Sequence, residues 1–195
     1  MSGEEIFRME RAKGSSIGAT IVGFFGGAWL ALGMASAGVP WRIGILAVLP
    51  VFGLIAFLGT AVRRRLPQIC ETETPEKKQM MRAFAAVNVV QWVAIFAVVN
   101  LLANLHLNGW IVPAVVLIVG GHFVPLAQIF HAPEHLKTGI AMMLCAALAV
   151  VLPASIRDVV ECVSAGVILW ISAAAALFAA FRMARNGNIP TLRSA

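Results

Sequence analysis

Three side chains able to give and take hydrogen bonds, Asn88, Gln91 and His122, stand in a stretch from Ala83 to Pro133 that holds no Asp, Glu, Lys or Arg. So short a soluble chain could not carry that stretch, because its helices need charged surface. A bilayer suits it, since hydrocarbon offers a charge neither water nor a partner. Reflecting the sequence about a turn near Leu107 places Gln91 and His122 at nearly equal distances on either side. In an antiparallel helical hairpin the two share a depth, roughly 13 Å from one boundary at about 1.5 Å per residue, close to the midplane. Asn88 lies one turn from Gln91 on the same face. The expected cluster, Asn88–Gln91–His122, presents neutral hydrogen-bonding groups to a small solute or ion. Pro125 has no N–H to give the Gly121 carbonyl, and Gly120 and Gly121 soften the same turn, a recurrent way of building a site in a membrane helix. Pro50 does the same to the Leu46 carbonyl in an earlier span. The plainer expectation for these residues is interhelical packing, at about 0.6 kcal/mol per hydrogen bond.

Metal and covalent chemistry find less to build on. His131-Ala132-Pro133-Glu134-His135 matches the letters H-x-x-E-H of a zinc-protease helix. Pro133 nevertheless reads as part of a connecting loop, and a third ligand is missing, which leaves His131, Glu134 and His135 as weak metal candidates. Cys70, Cys145 and Cys162 share no ligand spacing and read as free thiols. No phosphate loop, dinucleotide fingerprint or Ser-His-Asp arrangement is present, so neither an enzyme nor a cofactor is expected, with an intramembrane enzyme as the remaining alternative.

Positioning such a cluster requires spanning helices. The chain has 195 residues, 60% of them hydrophobic and 12% charged, with mean hydropathy +0.88. Six apolar runs meet or approach the roughly 20 residues that a spanning helix needs. They cover about 16–38, 42–62, 80–104, 110–130, 138–154 and 161–182. The expectation is an all-α integral membrane bundle of six transmembrane helices, flanked by an amphipathic segment over 1–15 and a tail over 183–195. Within the first segment, Ser2 with Glu4 and Glu5 predicts a surface helix that stops at Gly14. Thr74-Pro75-Glu76 predicts the start of the third helix: a cap, a proline in the first turn and an acid at the N-terminus.

Of the fifteen Lys and Arg residues, only Arg42 and Arg157 fall on the side opposite the termini. That asymmetry predicts both termini in the cytoplasm and an inner-membrane, multi-pass protein. A cleaved signal peptide ending near Ala35-Ser36-Ala37 is the rival for the first span, but its apolar stretch exceeds the usual length of about 7–15 residues. The net charge of +6 belongs to helix ends that meet lipid headgroups, not to a nucleic-acid face. Gly23 and Gly27 in the first span, and Ser172 and Ala176 in the last, have the small-xxx-small spacing that lets helices approach closely. They are read as packing surfaces, with a homo-oligomer or a membrane partner as the alternative use.

Gly121-His122-Phe123-Val124-Pro125-Leu126-Ala127, then Phe130 and Thr138-Gly139, resembles a pattern found in small uncharacterised bacterial inner-membrane proteins: G-x-H-F-x-P-L-A-x-x-F, a short loop, and T-G opening the next helix. The resemblance covers about a tenth of the chain. Where that family carries aromatics before T-G, this chain has His135, Leu136 and Lys137. The resemblance implies a polytopic inner-membrane protein and draws attention to His122 and Pro125. The functional expectation is binding or passage of a small solute, ion or lipid-like molecule. The alternative is a structural or accessory subunit of a membrane complex.

Overall fold

The apolar runs form six helices in the computed structural model, which describes residues 3–65 and 74–187. These are α1 (Gly3–Ser36), α2 (Trp41–Arg65), α3 (Pro75–Asn104), α4 (Ile111–Ile129), α5 (Pro133–Leu148) and α6 (Ala154–Gly187). Short 3-10 turns, Asn108–Trp110 and Ala149–Val151, precede α4 and follow α5. All six helices are long and apolar enough to cross a membrane, and the described residues contain no strand. Ser2, Cys70 and the tail beyond Gly187 lie outside the described residues.

The connections sort into two ends. At one, Ala12 near the start of α1 packs with Val62 at the end of α2 and with Ala180 and Ala184 near the end of α6. Arg11 also reaches the carbonyl of His131 in the α4–α5 turn, at 3.5 Å. At the other, Arg157 in the first turn of α6 donates to the Gly109 carbonyl in the α3–α4 turn at 3.4 Å, and the α1–α2 turn lies at this end because both helices run to it from the first. We call these the terminal end and the hairpin end. Thr74 caps α3 as its sequence predicts, its Oγ1 accepting from the Lys77 N–H at 3.3 Å with Pro75 in the first turn.

Packing runs inward from the periphery. α1 lies between α2 and α6, α4 and α5 pair closely and pack on α6, and α3 sits outermost against α4 with no buried residue. Two crossings are set by glycine. A Cβ on Gly166 would lie 2.8 Å from the carbonyl oxygen of Gly26, which brings α1 and α6 into backbone contact. A Cβ on Gly139 would lie 2.6 Å from the carbonyl oxygen of Gly120, which does the same for α4 and α5. Lipid cannot drive helices together by the hydrophobic effect, so contacts of this kind must supply the association.

Three boundaries differ from the sequence expectation. α1 does not stop at Gly14 but continues through it. A mid-helix glycine costs only about 1 kcal/mol, while Ala12 and Ser16 on either side are fully buried, so tertiary packing overrides the local break. α5 starts at Pro133, not near 138, because proline is tolerated in a helix's first turn, where its missing N–H has no acceptor to serve. α6 starts at Ala154, directly after Pro153, which places Glu161 two turns inside the helix.

Candidate functional site

The α4–α5 contact at Gly120 and Gly139 brings the terminal half of α4 against the first turns of α5. There the structure assembles a group of rings. His122 lies against the backbone of Val87 on α3, and its Nδ1 is buried with no hydrogen-bond partner. His135, in the first turn of α5, also has a buried and unpartnered Nδ1. Phe123 stands between them, its ring centroid 5.8 Å from His122 and 5.9 Å from His135. Phe130 continues the series, 6.1 Å from His135 and 5.6 Å from Phe84 on α3. The two imidazoles lie within electrostatic reach of each other.

The sequence predicts a connecting loop at His135, and the structure places this residue in a helix instead. Because α5 begins at Pro133, His135 is helical and faces the α4 rings. A signal for this was present. Pro133-Glu134 repeats the Pro75-Glu76 signature that correctly located the start of α3.

The other members of the expected cluster take separate places. Asn88 turns back on its own helix, its Nδ2 donating to the Phe84 carbonyl at 2.8 Å. An intrahelical acceptor one turn away is already aligned, so the carboxamide need not reach across to α4. Gln91 is half-buried on α3, and no hydrogen bond joins it to Asn88 or His122. Pro125 lies inside α4, which stays helical past it to Ile129. Gly121 has open space where a side chain would stand, so the backbone beside His122 is uncovered on that face.

His131 is exposed in the tight α4–α5 turn with φ of 48°, and Glu134 pairs with Lys137 at 3.6 Å. Among the described residues, no three His, Cys, Asp or Glu side chains converge as a resident metal would require. His131, Glu134 and His135 therefore share a turn without forming a ligand set.

A neutral imidazole offers one N–H and one lone pair. The Nδ1 of His122 is buried without a partner beside the Val87 backbone, and that of His135 is likewise unpartnered. Two such nitrogens beside three phenylalanine rings make a site with apolar walls and two hydrogen-bonding points. Burying an unpartnered polar atom is costly, and buried polar groups are as a rule hydrogen-bonded.

The small residues of the packing stripes face the same chain. A Cβ on Gly23 would meet Ile55 of α2 at 2.8 Å, and one on Gly27 would touch Val48 and Trp170. Trp170 Nε1 donates to the Gly23 carbonyl at 3.0 Å. Ser172 accepts from Thr138 of α5 at 2.9 Å, and Ala176 packs beside Ala19, Ile55 and Leu177. No protein family, curated protein or solved structure matches this chain.

Proposed function

We propose that this membrane protein binds or passes a small solute or lipid-like molecule between α3, α4 and α5. The observation that supports it is the pair of buried, unpartnered Nδ1 atoms on His122 and His135, on adjacent helices around Phe123. A ligand with an apolar body and a hydrogen-bonding head would satisfy both nitrogens while its body rests on Phe84, Phe123 and Phe130. The open face of α4 at Gly121, one turn before Pro125, gives that ligand a way in or out.

An inner-membrane location with both termini in the cytoplasm completes the proposal. Its support is the charge asymmetry: among the described residues, Arg42 and Arg157 are the only Lys or Arg at the hairpin end. On that orientation the site opens toward the cytoplasmic half of the bilayer. The geometry favours this reading over an accessory subunit docking through Gly23, Gly27, Ser172 and Ala176, because those residues pack within the bundle.

Native mass spectrometry of protein released gently from its own membranes tests the proposal. The expected result is a reproducible added mass on the wild type that is lost from His122→Ala and from His135→Ala, while both variants keep the wild-type elution and melting behaviour. An added mass retained by both variants would place any ligand elsewhere.

A further inference from the structure

Glu161 of α6 is 1% exposed, a carboxyl group buried inside the bundle. Its Oε2 has no hydrogen-bond partner. Asp158, one turn nearer the hairpin end and on the same helical face, is half-buried, and its Oδ1 is also unpartnered. One turn deeper, Ala165 joins Val116, Met142, Ala146 and Leu169 in the main apolar cluster. The two carboxyl groups thus follow one another inward from the hairpin end, and the next turn belongs to an apolar layer. It is separate from the histidine site, which lies near the terminal end.

The nearest cation does not neutralise it. Arg157 donates to the carbonyls of Ala149 at 3.0 Å, Leu152 at 3.1 Å and Gly109 at 3.4 Å, and stacks 4.1 Å over the Trp110 ring. Its guanidinium is held by backbone oxygens and by the indole face, and no ion pair joins it to either carboxylate among the described residues. Around Glu161 the other groups are Asp158 and Cys162 on α6 and Cys145 on α5, whose thiol meets Ser164. The neighbouring turns of α1 (29–36) and α4 (111–118) hold no titratable residue. Arg42 and His106 are exposed at the same end.

An ionised carboxylate at Glu161 has Arg157 only at a distance and no direct ion pair among the described residues, a cost of several kcal/mol in a low-dielectric interior. A ligand must relieve it. A resident metal needs more donors than converge here. A proton needs one carboxyl oxygen.

We propose that Asp158 and Glu161 form a proton-binding site, with Asp158 receiving the proton at the hairpin end and Glu161 holding it inside the bundle. The step is a single proton transfer. The O–H bond of the Asp158 carboxyl breaks, an O–H bond forms on Glu161, and Asp158 is left as the carboxylate, next to Arg157 and nearer to water. This inference stands whether or not the histidine site binds a solute.

Infrared spectroscopy of the full chain in liposomes tests it directly. The wild type should show a protonated-carboxyl C=O stretching band at neutral pH. That band should shift with 13C-carboxyl-labelled glutamate and should not shift with labelled aspartate, a readout that needs no variant. It should vanish in Glu161→Gln. It should persist in Asp158→Asn, with hydrogen–deuterium exchange of the carboxyl slowed at least about tenfold. Absence of the band from wild-type protein, its survival in a correctly folded Glu161→Gln, or saturable sodium binding by an ionised Glu161 would each overturn the proposal.

Discussion

The closest test of the packing argument is a single methyl group at position 139. Alanine there would place its Cβ 2.6 Å from the Gly120 carbonyl oxygen and 3.0 Å from the Phe123 Cβ. Ordinary contact begins near 3.4 Å, so α4 and α5 must separate by about 0.8 Å to accept it. Neither neighbour is the end of a flexible side chain. One is backbone and the other is the Cβ of a buried residue, so the strain cannot be relieved by a rotamer change. Overpacking of this kind costs about 1–3 kcal/mol, and the gain in helix propensity on replacing glycine offsets about 1 kcal/mol of it. Gly139→Ala should therefore lose up to about 2 kcal/mol. Gly121→Ala, on the facing helix, meets nothing within 4 Å and keeps the propensity gain alone. The two variants differ by one methyl each, so their comparison isolates the crossing. Thermal unfolding in a mild detergent, followed by circular dichroism, should rank Gly121→Ala above wild type and Gly139→Ala below it. Equal stability of the two variants would refute the claim that backbone contact sets the α4–α5 approach.

Two further outcomes follow from individual contacts. The Thr138–Ser172 hydrogen bond joins α5 to α6 at 2.9 Å, so a double-mutant cycle with Thr138→Val and Ser172→Ala should give a coupling of about 0.6 kcal/mol; additive losses would show that the bond is not worth making. Arg157 satisfies the carbonyls of Ala149 and Leu152 at the end of α5, so Arg157→Met should cost about 1–3 kcal/mol and raise amide exchange across the 149–153 turn. Unchanged exchange there would mean that solvent or headgroups serve those carbonyls instead.

Much of this fold is legible in the sequence because spanning helices are written in contiguous runs. Hydropathy alone locates all six, and Thr74-Pro75-Glu76 marks the start of α3 where the structure has it. What the runs do not carry is how far a helix continues past its apolar part. Gly14 looks like a stop, yet Ala12 and Ser16 are buried by α2 and α6 packing that no local pattern encodes. Pro133 is ambiguous in the same way, since one residue can break a helix or open it. Reading it as a loop kept His135 out of the candidate site and left His122 to be paired with Gln91 by depth alone. Depth in a bilayer can be counted along a chain, but rotation about a helix axis depends on neighbours such as Gly120 and Gly139. The burial of Glu161 is hidden for a related reason: the apolar run begins at that residue while α6 begins earlier, at Ala154.

Ring-15N NMR of the four histidines in lipid bilayers examines directly whether His122 and His135 share one site. Delipidated protein should be compared with the same protein after return of its native membrane extract, with signals assigned by His122→Gln and His135→Gln. The expected result is a change in the Nδ1 signals of His122 and His135 together, as a ligand supplies the missing hydrogen bonds, with exposed His106 unmoved. Nδ1 signals of His122 and His135 that never respond, or that respond one without the other, would contradict a shared site.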